Sequence, residues 1–362
     1  MITDEWGQSR VWTRFRKNWF ALAAAGWIAL NCLMALMAYW WMPDQSPYAN
    51  RIILEIGGEK PGYTQSFLLV NKQQLPTPVS GWERLLNGTP DAYEYIPISE
   101  HSISGDSIWV QKRIDESLSE PMVVAKSTCA PKPIQTQTFW LGTDKYGRDI
   151  LSRILLGTRV SLSVGLITIL LSIGIGGLLG SLAGYLGGKI DRAIMWFINV
   201  MWSIPTLLLV FAITLTLGKG FWQIFIAIGL TMWVNVARLV RAQVMTLKQL
   251  EFIEATRVLG LGPWRTIFRH IFPNIIGPVT VLAASNFAAS IVIEAGLSFL
   301  GIGVQPPMPS WGLIMKENYN FIITQNPMLA LAPGLAIMLL VLSFNILGNG
   351  LRDALDVRST TT

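Results

Sequence analysis

The sequence predicts an all-α membrane protein of six transmembrane helices, with a long polar insert between the first two. Three observations carry that expectation. Hydrophobic residues make up 51% of the 362 and charged residues only 14%, against about 25% charged in a soluble globular domain. Six apolar runs, at residues 20–41, 160–186, 194–217, 221–237, 275–302 and 329–347, approach or exceed the ~20 residues a helix needs to cross a bilayer. The cations collect on one side of those runs. Helices satisfy their own backbone in lipid, and the runs are too long for barrel strands.

The first run follows Arg10, Arg14, Arg16 and Lys17, the flank of a signal peptide. It outlasts the about 7–15 apolar residues of a signal-peptide core, however, and reads as a retained span. With the N-terminus inside, the short loops and tails place these four, Lys189, Arg192, Arg238, Arg241, Lys248, Arg257, Arg265, Arg269, Arg352 and Arg358 in the cytoplasm. Only Lys219 and Lys316 fall outside, the bias that the positive-inside rule describes. The net charge of +6 is thereby explained by topology. The cations form no basic face, so nucleic acid is not an expected partner.

The expected order is a cytoplasmic tail (1–19), a first helix (20–41), an outer insert (42–138), a five-helix core (139–348) with a cytoplasmic segment at 249–273, and a cytoplasmic tail (349–362). In a bacterium this is a multi-pass inner-membrane protein with both termini in the cytoplasm and the insert in the periplasm. Within the insert, β-prone runs at 52–56, 67–70, 108–110 and 122–124 are separated by Gly, Pro, Asn and Asp clusters. They read as a strand-rich subdomain, with a partly disordered loop as the alternative. Cys32 sits in an apolar run and Cys129 in a polar segment, which excludes a disulfide framework.

In the second span Gly176, Gly180, Gly184 and Gly188 recur every four residues. That spacing lines one helix face with small residues and admits a close neighbour; a hinge is the other reading. Glu294 and Asn286 lie within an apolar run, where a polar group is costly unless it is paired or meets water. Each is therefore a candidate for a solute pathway or for holding helices together. Asn199 and Asn235 are weaker candidates of the same kind.

Several chemistries are excluded. A Walker phosphate loop needs Gly, four residues, then Gly-Lys-Ser/Thr. Around Gly188-Lys189, Ala183 replaces the first Gly and Ile190 the hydroxyl, so ATP is not bound by that motif. The two histidines, His101 and His270, fall outside the spans, which removes an intramembrane serine–histidine site and the ligands of zinc chemistry. No catalytic, cofactor or metal site is expected, and the chain is not expected to be an enzyme by itself.

Between spans 4 and 5, Glu251 to Leu259 reads as a short amphipathic helix ended at Gly260-Leu261-Gly262, with Pro263 opening the next. Such a knuckle suits docking into a partner's groove or lying on lipid. Glu254-Ala255-Thr256, Gly260 and Ile271-Phe272-Pro273 resemble the EAA loop of ABC-importer permeases. Members often carry Ala at the place of Thr256 and Leu at that of Phe272; both departures keep size and apolar character.

Three further stretches resemble the dipeptide, oligopeptide and nickel branch and its C-type subunit. They are Leu141-Gly142-Thr143-Asp144-Lys145-Tyr146-Gly147-Arg148-Asp149-Ile150-Leu151-Ser152-Arg153, Leu297 to Gly301 with Gln305-Pro306-Pro307 and Pro309-Ser310-Trp311-Gly312, and Gly350 to Asp356. The likeness covers 139–358; 43–138 has no counterpart. It implies a type I ABC-importer permease fold, in which Glu251, Glu254, Ala255, Thr256, Gly260 and Pro273 couple to the ATPase. It further implies a homologous second permease, two cytoplasmic ATPases that use ATP and Mg, a periplasmic solute-binding protein and a peptide as solute, with a nickel chelate or other small solute as the alternative. An ion-coupled secondary transporter would show inverted repeats, and none is read. A receptor or scaffold would not need the segment between spans 4 and 5.

Overall fold

The computed structural model describes residues 4–73, 79–115, 117–218, 220–323 and 326–355. Lys219, Asp356 and Arg358, which entered the charge count and the terminal motif, lie outside the described residues. The chain divides into two compact units, one of Met1–Asn31, Ser161–Val304 and Ile337–Thr362, the other of Cys32–Val160 and Gln305–Ala336.

Among the described residues five helices are long and apolar enough to cross a membrane: Trp19–Trp41, Ile150–Leu186, Phe221–Leu247, Pro263–Phe299 and Met328–Leu355. A sixth span requires the pair Gly188–Trp202 and Thr206–Leu217, which bends by 91° at its break. The run at 194–217 is thus not the single straight helix expected. Pro205 disfavours helical backbone at Ile204, and the Ser203 hydroxyl donates to the Val200 carbonyl at 2.7 Å, closing the preceding turn.

Helices α1 (Asp4–Lys17) and α2 (Trp19–Trp41) open the chain; the insert holds α3 (Gly81–Asn87). The core continues with α4 (Ile150–Leu186), α5 (Gly188–Trp202), α6 (Thr206–Leu217), α7 (Phe221–Leu247), α8 (Glu251–Val258), α9 (Pro263–Thr266), α10 (Phe272–Phe299), α11 (Trp311–Asn318) and α12 (Met328–Leu355). Many outward-facing side chains on the spans are apolar, such as Leu166, Leu170 and Leu178 on α4 and Leu335, Met338 and Leu342 on α12. Water would not tolerate so continuous a surface; acyl chains would.

In the unit of the first helices, α4 and α7 run side by side in the same direction. A Cβ added at Gly176, Gly180 or Gly184 would lie 2.6, 2.5 or 2.8 Å from the carbonyl oxygens of Trp233, Ala237 and Arg241. Backbone therefore meets backbone at three successive turns. Gly188 does not extend this row. The helix has ended at Leu186, Gly188 takes φ 57°, and nothing lies within 4 Å of a Cβ there. The four-residue rhythm runs past the end of the helix that gives it meaning.

The described residues of the insert form five strands, one more than the four expected runs. Strands β1 (Tyr63–Asn71), β2 (Tyr93–Ser104), β3 (Ser107–Arg113), β4 (Ser119–Ala125) and β5 (Cys129–Phe139) form an antiparallel sheet in the order β4-β3-β2-β1-β5. The run at 52–56 is not a strand; it contains a 3-10 turn, Leu54–Ile56. Alternation along β1 sends Leu68 and Val70 to a core with Ile96, Ile98, Ile108 and Val110. Phe67 and Leu69 go to another with Ile53, Ile56 and Phe139.

The outermost strands β4 and β5 are joined by Lys126–Thr128 alone. That link reaches about 14 Å, whereas the edges of a flat five-stranded sheet stand about 19 Å apart. The sheet is therefore curled about the Leu68 core.

Candidate functional site

The segment between α7 and α10 is built by two stop signals. α7 ends as the Lys248 amide donates to the Val244 carbonyl at 2.9 Å, and α8 begins at Glu251 with both Glu251 and Glu254 in its first turn. Carboxylates there are favoured by the unpaired amides of a helix N-terminus.

Ile253 is fully buried against Val240, Val244, Ile267, Ile271 and Tyr185. Thr256, also buried, donates its hydroxyl to the Ile253 carbonyl at 2.7 Å and stands 3.4 Å from the Thr266 hydroxyl. The opposite side of α8 is open: Glu251, Glu254 and Ala255 are exposed, with Phe252 45%, Val258 88% and Leu259 76% accessible.

Gly260 closes the helix. Its amide donates to the Arg257 carbonyl at 2.9 Å and the Leu261 amide to the Thr256 carbonyl at 3.0 Å, the two crossed bonds of a Schellman cap. Gly260 holds φ 71°, and a Cβ there would meet nothing within 4 Å. Backbone conformation, not space, selects glycine at this position.

Pro263 then starts α9, followed by a π-helical turn at Ile267–Ile271 and by α10, with Pro273 in its first turn. Trp264 and Phe268 stack at 6.0 Å on the outer side of this turn, both more than half exposed. Glu254 also lines a cleft with Lys248, Arg257, Gly184 and Asp191. Its floor is fixed by the Arg241–Asp191 pair, N–O 2.5 Å, and by Lys248 Nζ donating to the Tyr185 carbonyl at 2.6 Å.

Within the spans, Glu294 is fully buried. The Ser298 hydroxyl donates to Glu294 Oε1 at 2.6 Å and accepts from the Val304 amide at 3.0 Å. The carboxylate thus holds the end of α10 to the turn after it. Asn286 is also buried, beside the stacked Phe287 and Phe344 rings, and does not line the cavity among α7, α10 and α12.

Its neighbour Ser285 does. With Asn235, Gln243 and Arg352 it lines a cavity of about 560 Å³ among α7, α10 and α12. Of these Asn235 stood out in the sequence as a polar residue within a span, and Arg352 only as a cytoplasmic cation of the terminal motif. Ser285 and Gln243 carried the same signal, a polar residue in or beside an apolar run, but helical phase decides which of two adjacent positions faces outward. Asn199 accepts from Arg238 Nη2 at 2.8 Å.

The motif residues of the other unit assemble without reference to any of these. Asp144 receives the Arg148 amide at 3.0 Å and its Nε at 2.6 Å. Glu317 of α11 accepts from both Arg148 and Arg153, at 2.7 and 2.9 Å. The Trp311 indole donates to the Ile154 carbonyl at 3.0 Å, lying so close over Gly157 that a Cβ there would be 2.8 Å from the ring. Asp149 is buried, which pushes its carboxyl up to about 6, against the lowering pull of the Ser152 hydroxyl and amide.

Residues 176–360 match the family described as the binding-protein-dependent transport system inner membrane component. The chain is 45% identical over 217 residues to a glutathione transport system permease protein of Pectobacterium atrosepticum, covering 60% of this chain and 72% of the relative. It is 35% identical over 275 residues to a dipeptide transport system permease protein of Bacillus subtilis, covering 75% and 86%. A chain of the inward-facing MetNI methionine ABC transporter overlays 57% of it with a TM-score of 0.48 at 17% identity.

Proposed function

Because the chain belongs to the binding-protein-dependent transport system inner membrane component family, we propose that it is a transmembrane permease subunit of an ATP-driven importer of peptides. It pairs with a homologous second permease, receives solute from a periplasmic binding protein and is driven by two cytoplasmic ATPases that use ATP and Mg. The chain performs no covalent chemistry. Its N- and C-terminal tails and the segment 249–273 are cytoplasmic, and the insert is periplasmic. Peptides are the solute class because relatives are named as dipeptide and glutathione permeases.

The observation that carries the reading is the two-sided α8. Its inner side is fixed through Ile253 and Thr256, while Phe252, Val258 and Leu259 stand free beside Glu251 and Glu254. A helix resting on lipid would bring those two carboxylates against anionic headgroups, which favour cations. A protein groove can receive the apolar residues and pair the acids. Glu254, Ala255 and Gly260 are accordingly the contact and pivot by which ATP-driven closure of the ATPases reaches α7 and α10.

Native purification of the tagged chain should bring down an ATPase pair and a second permease. The reconstituted complex should hydrolyse ATP faster with loaded binding protein. Recovery of the chain without an ATPase would overturn the assignment.

A further inference from the structure

The groove among α7, α10 and α12 runs in a definite direction. Asn235 and Ser285 stand near the middle of their helices, whereas Gln243 lies towards the end of α7 and Arg352 in the last turn of α12. Asn235 to Gln243 is about 12 Å along the axis. The groove therefore leads from mid-membrane depth to the side that carries α8.

Its polar groups are unspent. Asn235, Ser285 and Arg352 are exposed and Gln243 is half-buried. Among the described residues Asn235, Gln243 and Arg352 have no side-chain hydrogen-bond or ion-pair partner. Ser285 reaches only the Val281 carbonyl, at 3.5 Å. Facing acyl chains, two carboxamides would each leave donors and an acceptor unsatisfied, at a cost of several kcal/mol. Polar groups at membrane depth face a water-filled path by preference.

The chemistry of the lining is also specific. Among the described residues that line it, the one charged group is the Arg352 guanidinium and none is a carboxylate. A carboxamide offers two donors and an acceptor, which matches the N–H and C=O of a peptide unit. A guanidinium pairs a carboxylate in a forked geometry.

We infer that this groove is the inner half of the solute path, where Asn235, Gln243 and Ser285 receive the amides of the solute and Arg352 its free carboxylate. The inference rests on the permease reading and adds to it the groups that touch the solute. The Arg352 charge makes the inner mouth selective for anionic over cationic ends.

The test uses the complete complex in nanodiscs without nucleotide, with Ser285→Cys or Asn235→Cys in place. Modification of this chain is followed by mass with two membrane-impermeant methanethiosulfonates, one bearing a sulfonate and one a trimethylammonium. The rate of the unsubstituted chain, which holds Cys32 and Cys129, is subtracted.

Both positions should react, and the sulfonate-to-trimethylammonium rate ratio should fall by about threefold or more when Arg352→Gln is added, because one charge at the mouth sets the local potential. Absence of reaction at both positions would place the groove against lipid or another helix and overturn the inference. A ratio that falls less than that would remove Arg352 from it. Solute-stimulated ATP hydrolysis in the same preparation reports on the permease reading, so the two failures are separable.

Discussion

Arg153 and Glu317 stand 164 residues apart in the chain and 2.9 Å apart in space, and Arg148 shares the same carboxylate oxygen at 2.7 Å. One carboxylate thereby ties the 141–153 stretch, which resembles the peptide-permease branch, to α11, the helix that opens at Trp311 within another stretch of that likeness.

Removing that carboxylate leaves Asp144 to serve both guanidiniums, at 2.6 Å from Arg148 but 3.9 Å from Arg153, which is almost fully buried. Breaking a buried pair costs about 3–5 kcal/mol, much of it the penalty of the orphaned charge. Glu317→Gln should therefore lower the thermal midpoint of the detergent-purified chain sharply, whereas Lys316→Gln, one residue away and in no ion pair among the described residues, should leave it within experimental error. Equal midpoints for Glu317→Gln and the unsubstituted chain would show that the cluster is not structural.

The pH dependence follows from Asp149. Its carboxyl titrates near 6 in the folded chain, against 3.8 ordinarily, so the folded state holds the proton more tightly. The resulting stabilisation is present in full below about pH 4 and is lost as pH rises through 6, on the order of 3 kcal/mol in all. The midpoint should fall between pH 5 and pH 7.5, and Asp149→Asn, which keeps an acceptor for Ser152, should flatten that slope. An unchanged slope would assign the dependence to other groups.

In the coupling segment, Gly260→Val places a β-branched residue at φ 71°, at a cost of about 1 kcal/mol or more, and misdirects α9. Glu254→Arg reverses an exposed charge. Both variants should insert and assemble, and solute-stimulated ATP hydrolysis per assembled complex should drop by about tenfold or more. Normal stimulation in both would refute the coupling assignment of α8.

The glycine row makes a contrast. Gly180→Val would drive side-chain atoms into the Ala237 carbonyl, already 2.5 Å from a bare Cβ, and should abolish folded protein on size-exclusion chromatography. Gly188→Ala meets open space and bears only its positive φ, so it should yield near-normal amounts. Similar losses for both would mean that α4 and α7 do not depend on this contact.

Glu294→Gln keeps an acceptor for the Ser298 hydroxyl, and Glu294→Leu does not. The first should assemble and transport; the second should reduce assembled protein several-fold, as loss of a buried hydrogen bond would. Full assembly of the Gln variant without uptake would move Glu294 from packing to the solute path.

The spans were legible because lipid imposes a requirement that hydropathy alone expresses. The 91° break was less so. Pro205 marked it, but an apolar run carries the eye across. The insert yielded β1, β3 and β4, whose cores are made of Phe67 to Leu69, Ile108 to Val110 and Met122 to Val124. It hid β2 and β5 altogether, because Glu94, His101 and Gln135 interrupt the apolar pattern on strands of which only part is buried. Of the site, the helix, its acids and Gly260 were readable from local signals. Ser285 in place of Asn286, and the meeting of Arg148, Arg153 and Glu317, depend on helical phase and on long-range contact, which no local window contains.

Strand β1 begins opposite the residue on which β5 ends: Tyr63 is the ladder partner of Phe139. Such partners lie about 5 Å apart, so the path into the sheet and the path out of it are side by side. Seventy-five intervening residues could therefore be removed without changing the separation that the flanking chain must bridge. A two-residue turn from 63 to 139 is the shortest replacement that the geometry allows, and it would bare the Ile53 and Ile56 side chains that Phe67 and Leu69 cover.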